Sequence, residues 1–174
     1  MAPRALLRRG IEKAAGTHQE AARRVNYSKE MMSKVLAGER NIAPDVAGKL
    51  SGMHLIAGLA IAQELTGYLW FRYIDGDRHP QNLLQRALKE DHEADILINQ
   101  AGARLIDKAG PEDLTPEDMT FLQAAAKELS DEITASINLL IELEDRYKLG
   151  LLGYLTGQKE KTQAVAEARA SYNF

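Results

Sequence analysis

The chain of 174 residues holds no cysteine, five prolines, one tryptophan and only 6% aromatic residues. Without cysteine, a disulfide framework, a thiolate metal site and a cysteine nucleophile are excluded. The opening stretch from Met1 to Gly10 carries arginines but no apolar run long enough for a secretory signal. The most apolar segment, His54 to Phe71, is interrupted by Gln63, Glu64 and Thr66, so no membrane span is expected. A cytoplasmic protein without a membrane partner is the resulting expectation. Sustained apolar/polar alternation is missing as well, while Ala, Leu, Glu, Lys and Gln dominate, which argues for helices and against sheets.

Signs of catalysis are equally scarce. No phosphate-cradling glycine loop and no serine–base motif is present. His54, His79 and His92 lack ligand spacing, and Asp75-Gly76-Asp77 begins like a calcium loop that His79-Pro80 then interrupts. The cluster Glu90, Asp91, His92, Glu93 and Asp95 reads as a solvated helix face. No enzymatic activity, no metal and no cofactor are expected.

What the chain does have is charge, unevenly spread. Charged residues make up 27% and hydrophobic residues 45%, which suits a globular protein of one domain or two small ones. The formal net charge is −3. Residues 1–54 hold ten Lys/Arg against five Asp/Glu, and the remainder holds twelve against twenty. A basic amino-terminal third on an acidic body fits a localised binding face for an anionic partner rather than general coating of nucleic acid.

Helix punctuation is plentiful. Pro3 suits a first turn, and Thr17 with Glu20 forms a capping-box pattern. Ser28 can cap a following helix that Gly38 ends. Pro44-Asp45 opens another, and Ser51 is expected to open the next. Residues 67–80 form a connecting segment whose Tyr68, Trp70, Phe71 and Tyr73 are too aromatic for a floppy linker, so it is expected to pack. Beyond it, Leu83, Ala87, Ala94, Leu97, Ala101 and Leu105 recur at mostly helical steps, and Gly110-Pro111 stops the run. Thr115-Pro116-Glu117-Asp118 then reads as a helix start. Its stripe runs through Met119, Leu122, Ala126, Leu129, Ile133, Ile137, Leu140 and Tyr147. Two long amphipathic helices joined by a short turn predict an antiparallel hairpin over residues 81–156. A hairpin has two apolar seams and satisfies only one internally. Leu122, Leu129, Ile133, Ile137 and Leu140 are therefore expected to form an interface with a second copy. A polar tail, with a short helix through Ala164 to Ala170, is expected over residues 157–174.

The most informative stretch is Thr17 to Asn41, THQEAARRVNYSKEMMSKVLAGERN. It reads as two short helices joined by Asn26-Tyr27-Ser28. Ala21 and Ala22 are small enough for a close crossing, and Asn26 tolerates positive φ at the turn. Val25, Tyr27, Met32 and Val35 stand where the second helix must lock to the body. Lys29, Glu30, Ser33, Lys34 and Ala37 remain outward, short or polar, as a helix lying in a major groove requires.

This stretch resembles the DNA-binding domain of lambda-repressor-like (Xre-type) regulators. The matching runs are Thr17-His18-Gln19-Glu20-Ala21-Ala22, the turn Asn26-Tyr27-Ser28 and the tail Gly38-Glu39-Arg40-Asn41. The sequence departs from the pattern at His18, where the family has Gln, at Ala21 in place of Leu, and at Asn26 in place of Gly. The resemblance implies a five-helix domain over residues 1–66 and an all-α, prophage-type regulator with a helical carboxy-terminal region. It implies base contacts from Ser28, Lys29, Glu30, Ser33 and Lys34, and phosphate contacts from Thr17, His18, Gln19, Arg40 and Asn41. It also implies double-stranded DNA as partner, with a protein anti-repressor as a further one. The alternative is a protein-interaction module, such as an antitoxin or anti-repressor, centred on Tyr68, Trp70 and Phe71.

Overall fold

The computed structural model describes residues 2–68 and 71–155. Among these the chain is all-helical, with no strand. The order is α1 (Pro3–Ala15), α2 (His18–Arg24), α3 (Lys29–Ala37), α4 (Pro44–Ser51), α5 (Leu55–Thr66), α6 (Pro80–Leu105), a 3-10 turn (Pro111–Asp113), α7 (Pro116–Tyr147) and α8 (Leu151–Leu155). No described helix is long and apolar enough to cross a membrane. The tail expected over 157–174, its short helix at Ala164 to Ala170, and Trp70 lie outside the described residues.

Local chemistry sets most helix starts. Proline occupies the first turn of α1, α4 and α6. Thr17 Oγ1 accepts from the Glu20 N–H at 3.1 Å, and Ser28 Oγ accepts from the Met31 N–H at 3.1 Å. The reciprocal half of the Thr17 capping box is not made, because the Glu20 carboxylate is taken by Arg23 and Arg24. At α7 the box is complete. Asp118 N–H donates to Thr115 Oγ1 at 3.1 Å, and Thr115 N–H donates to Asp118 Oδ2 at 3.1 Å. One start differs from expectation. Ser51 ends α4, its hydroxyl donating to the Ala47 carbonyl at 2.8 Å, a mid-helix arrangement open to any serine. The cap of α5 is His54, whose Nδ1 accepts from the Ile56 N–H at 3.1 Å.

The described residues divide into two compact units, 2–68 with 144–155, and 71–143. In the first, Leu6, Leu7 and Ile11 of α1 are buried with Met32 and Val35 of α3, Leu50 of α4 and Ile56 of α5. Helices α1 and α5 cross closely at Gly10, where a Cβ would stand 2.6 Å from the Ala57 backbone nitrogen. Arg4 on α1 donates to the Val35 carbonyl at 2.8 Å and to Glu64 Oε1 on α5 at 2.7 Å, tying the end of α3 to both helices. The last turn of α7 belongs to this unit. There Asp145 meets Lys13 Nζ at 2.6 Å and His54 Nε2 at 2.7 Å. Burial pushes the Asp145 carboxyl up, but the hydrogen bonds from His54 and Lys13 outweigh it and hold the group at about 2.

In the second unit the aromatic segment packs, with Phe71 and Tyr73 buried. Asn138, fully buried on α7, holds that segment. Its amide donates to the carbonyls of Arg72 at 2.9 Å and Thr134 at 2.8 Å. Its Oδ1 accepts from the Ile74 N–H and from Arg78, each at 3.0 Å. Arg78 also reaches Glu142 and lies 4.4 Å over the Tyr73 ring. Between α6 and α7, Arg104 meets Asp118 at 3.3 Å and stacks 4.5 Å over Phe121. Further along, Glu90, Glu93 and Glu128 bring carboxylate oxygens within 4.8 Å of one another. Lys89 and Lys127 pair with members of this cluster. These meetings occur in opposite order along the two helices. The buried apolar positions of α6 and α7 are Leu83, Ala87, Ala94, Ala125, Ala135 and Ile141, mostly small.

Candidate nucleic-acid interface

The segment from α2 to α3 is built around one backbone conformation. Asn26 has φ 60°, a left-handed geometry that asparagine tolerates better than other non-glycine residues. This lets the Tyr27 N–H return to the Ala22 carbonyl at 2.8 Å and sends the chain into α3. Ala21 and Ala22 are buried on α2. Val25, Met32, Val35 and Leu36 are buried as well, and Tyr27 is half-buried. Gly38, in the left-handed region at φ 80°, ends α3.

With that face anchored, Ser28, Lys29, Glu30, Ser33, Lys34 and Ala37 are all exposed. Lys34 and Glu30 pair one helical turn apart at 2.7 Å. An exposed pair of this spacing contributes about 0.3–0.5 kcal/mol, less than the ~1–3 kcal/mol of a good base contact, so it does not lock the face. Ser28 Oγ accepts from the Met31 N–H and keeps a lone pair and its hydroxyl proton for a base edge.

Of the residues expected at phosphates, Thr17, Gln19, Arg40 and Asn41 are exposed. His18 is half-buried and turned onto α1, with Nε2 3.3 Å from Glu12. Thr17, Gln19 and Lys29 line one shallow depression together with Arg23 and Tyr27, neither of which the sequence singled out as a contact. The doublet Arg23-Arg24 in the basic third was the available signal. Its obscuring partner is Glu20, whose carboxylate accepts from Arg23 Nε at 3.0 Å and Arg24 Nε at 3.1 Å. Arg23 and then Arg24 hold that carboxyl below its usual range. Among the described residues, Lys29 and Arg40 have no ion-pair partner. Along α1, Arg8 and Arg9 line a second shallow depression with Leu36 and Ala37 at the end of α3.

The residues expected to join copies are distributed along α7. Leu122 and Ile137 are half-buried, while Leu129, Ile133 and Leu140 are exposed, Ile133 by 49%. Of the aromatic group weighed as a protein-binding patch, Tyr68 is exposed and Phe71 is buried.

No protein-family model, no curated protein and no solved structure matches the chain.

Proposed function

We propose that the chain is a sequence-specific, double-stranded DNA-binding transcriptional regulator of the lambda-repressor-like kind. It represses by occupying an operator and works as a dimer or higher oligomer through a hairpin of α6 and α7. The observation that carries this reading is the division of α3. Met32, Val35 and Leu36 bury one face, while the opposite face offers only Lys29, Glu30, Ser33, Lys34 and Ala37 to solvent. A helix so held presents a fixed, groove-sized surface of hydrogen-bonding groups. Lysine suits guanine O6 and N7, and glutamate accepts from cytosine N4. Arg40, Asn41, Gln19 and Arg23 lie on the flanks as partners for phosphates. Without Arg, Asn or Gln on the outward face, each reader discriminates modestly, and two copies on two half-sites add their energies.

The test is a binding titration on the DNA flanking the protein's own gene at about 50 and 200 mM salt. Affinity for a discrete site should fall steeply with salt, as release of phosphate counterions requires.

A second reading, a protein-interaction module, draws on the exposure of Leu65 and Tyr68 at the end of α5, 65% and 67%. Burial of Phe71 shrinks that patch. This reading predicts weak salt dependence and no discrete DNA site.

A further inference from the structure

The depression beside the turn is lined by Thr17, Gln19, Arg23, Tyr27 and Lys29, each able to donate a hydrogen bond, and by Glu20. Glu20 alone among them brings negative charge. It stands in the first turn of α2, and Arg23 and Arg24 follow at three and four residues, the spacings that meet on one helix face. Arg23 closes a two-armed pair with it, Nε to Oε2 and Nη2 to Oε1, each at 3.0 Å. Arg24 Nε shares Oε1 at 3.1 Å, and its Nη1 donates to the Ala14 carbonyl at the end of α1 at 3.3 Å. The two arginines thus differ. Arg24 is tied to α1, whereas Arg23 donates to Glu20 alone and its side chain is 80% exposed.

We infer that the Glu20 carboxylate is an internal stand-in for a DNA phosphate: it holds the Arg23 fork in the free protein, and a phosphate arriving at the depression displaces it. The inference rests on the reading that this face binds DNA, and it adds a residue that holds the affinity down. Carboxylate and phosphate both offer two oxygens to a guanidinium in the same two-armed geometry, so Arg23 can pass from one to the other without losing a bond. Arg24 keeps the cost of the exchange small. When Arg23 leaves, Glu20 still has Arg24 and is not left a bare carboxylate. Opening an exposed pair of this spacing weakens binding by about twofold per chain, and two chains on two half-sites multiply that to about three- to fivefold. Because the exchange involves a phosphate and no base, its effect is the same on every DNA sequence.

The test is a double-mutant cycle on the full-length chain. Wild type, Glu20→Gln, Arg23→Met and the double variant are titrated at about 50 mM salt with the DNA flanking the protein's own gene and with a scrambled duplex of equal length. Glu20→Gln keeps the side-chain length and the main-chain N–H that Thr17 accepts, and thermal melts run alongside check the fold. Glu20→Ala, which removes the acceptor altogether, must give the same pattern. The inference predicts that Glu20→Gln binds about three- to fivefold tighter than wild type on both duplexes. In the Arg23→Met background the same change should gain less than about 1.5-fold, which separates release of Arg23 from simple loss of a negative charge. Binding no tighter than wild type, an equal gain with and without Arg23, or a gain confined to one duplex overturns the exchange and leaves the DNA-binding reading standing. No complex from any of the four chains on either duplex overturns both.

Discussion

His54 and Asp145 lie 2.7 Å apart, Nε2 to Oδ1, across 91 residues of chain. Because Nδ1 of the same ring accepts the Ile56 N–H at 3.1 Å, the neutral imidazole carries its proton on Nε2 and donates it to Asp145. The second carboxylate oxygen takes Lys13 at 2.6 Å. One carboxylate thus joins the start of α5 and the end of α1 to the last turn of α7.

Asp145 is held at about 2, below its ordinary value of 3.8. A depressed carboxyl contributes stability that is complete above its unfolded value and is lost as pH falls through its folded one. Urea unfolding should show Asp145→Asn less stable than wild type by about 1–2 kcal/mol near neutrality. The difference should close as pH drops from about 4 to 2. A gap constant down to pH 2 would contradict the assignment.

Two helical glycines should respond oppositely to alanine. At Gly10 a Cβ meets backbone atoms of Ala57 at 2.6 Å, so α1 and α5 must separate. Overpacking of this kind costs about 1–3 kcal/mol, more than the ~1 kcal/mol that helix propensity returns. At Gly48 on α4 nothing lies within 4 Å of the same atom, and alanine should stabilise by about 0.5–1 kcal/mol. Thermal melts of Gly10→Ala and Gly48→Ala check the pair.

Asn26 at φ 60° predicts a ranking in the turn. Asn26→Gly should be neutral or mildly stabilising. Asn26→Val should lose about 1–2 kcal/mol, because a β-branched side chain is strained there. Equal stabilities of the two variants would remove the turn from its role in setting α3.

Arg4 closes the far end of α3 by donating to the Val35 carbonyl at 2.8 Å. Arg4→Met keeps the stem and removes both that bond and the Glu64 pair. Amide exchange over α3 should then quicken relative to α5, as a locally loosened helix requires. Uniform change across both helices would point to global destabilisation instead.

The legible parts of the sequence were the local ones. Thr17, Ser28, Gly38 and Pro116 act within one turn of their own position, and Asn26 was readable because few residues accept positive φ. His54 was not readable as a cap, since serine, threonine and asparagine are the usual caps and Ser51 stood nearby. The Lys13–Asp145 pair spans 132 residues and leaves no trace in periodicity. On α7 the leucine stripe was visible, but the helix packs internally through Ala125, Ala135, Asn138 and Ile141. Pattern alone did not reveal which seam faces inward. In the candidate interface the outward residues of α3 followed from helical spacing. The turn of His18 toward Glu12, and the meeting of Arg23 and Tyr27 with Lys29, depend on how α1, α2 and α3 pack.

The most direct measurement is a gel-shift titration on the DNA flanking the protein's own gene, comparing wild type with the double variant Ser33→Ala/Lys34→Ala. Both side chains are exposed and bear no core contact, so the variant should fold as wild type does. The account predicts a discrete, competitor-resistant complex for wild type and at least tenfold weaker binding for the variant. No discrete complex, or one that the variant forms equally well, would contradict the reading of α3 as the helix that recognises DNA.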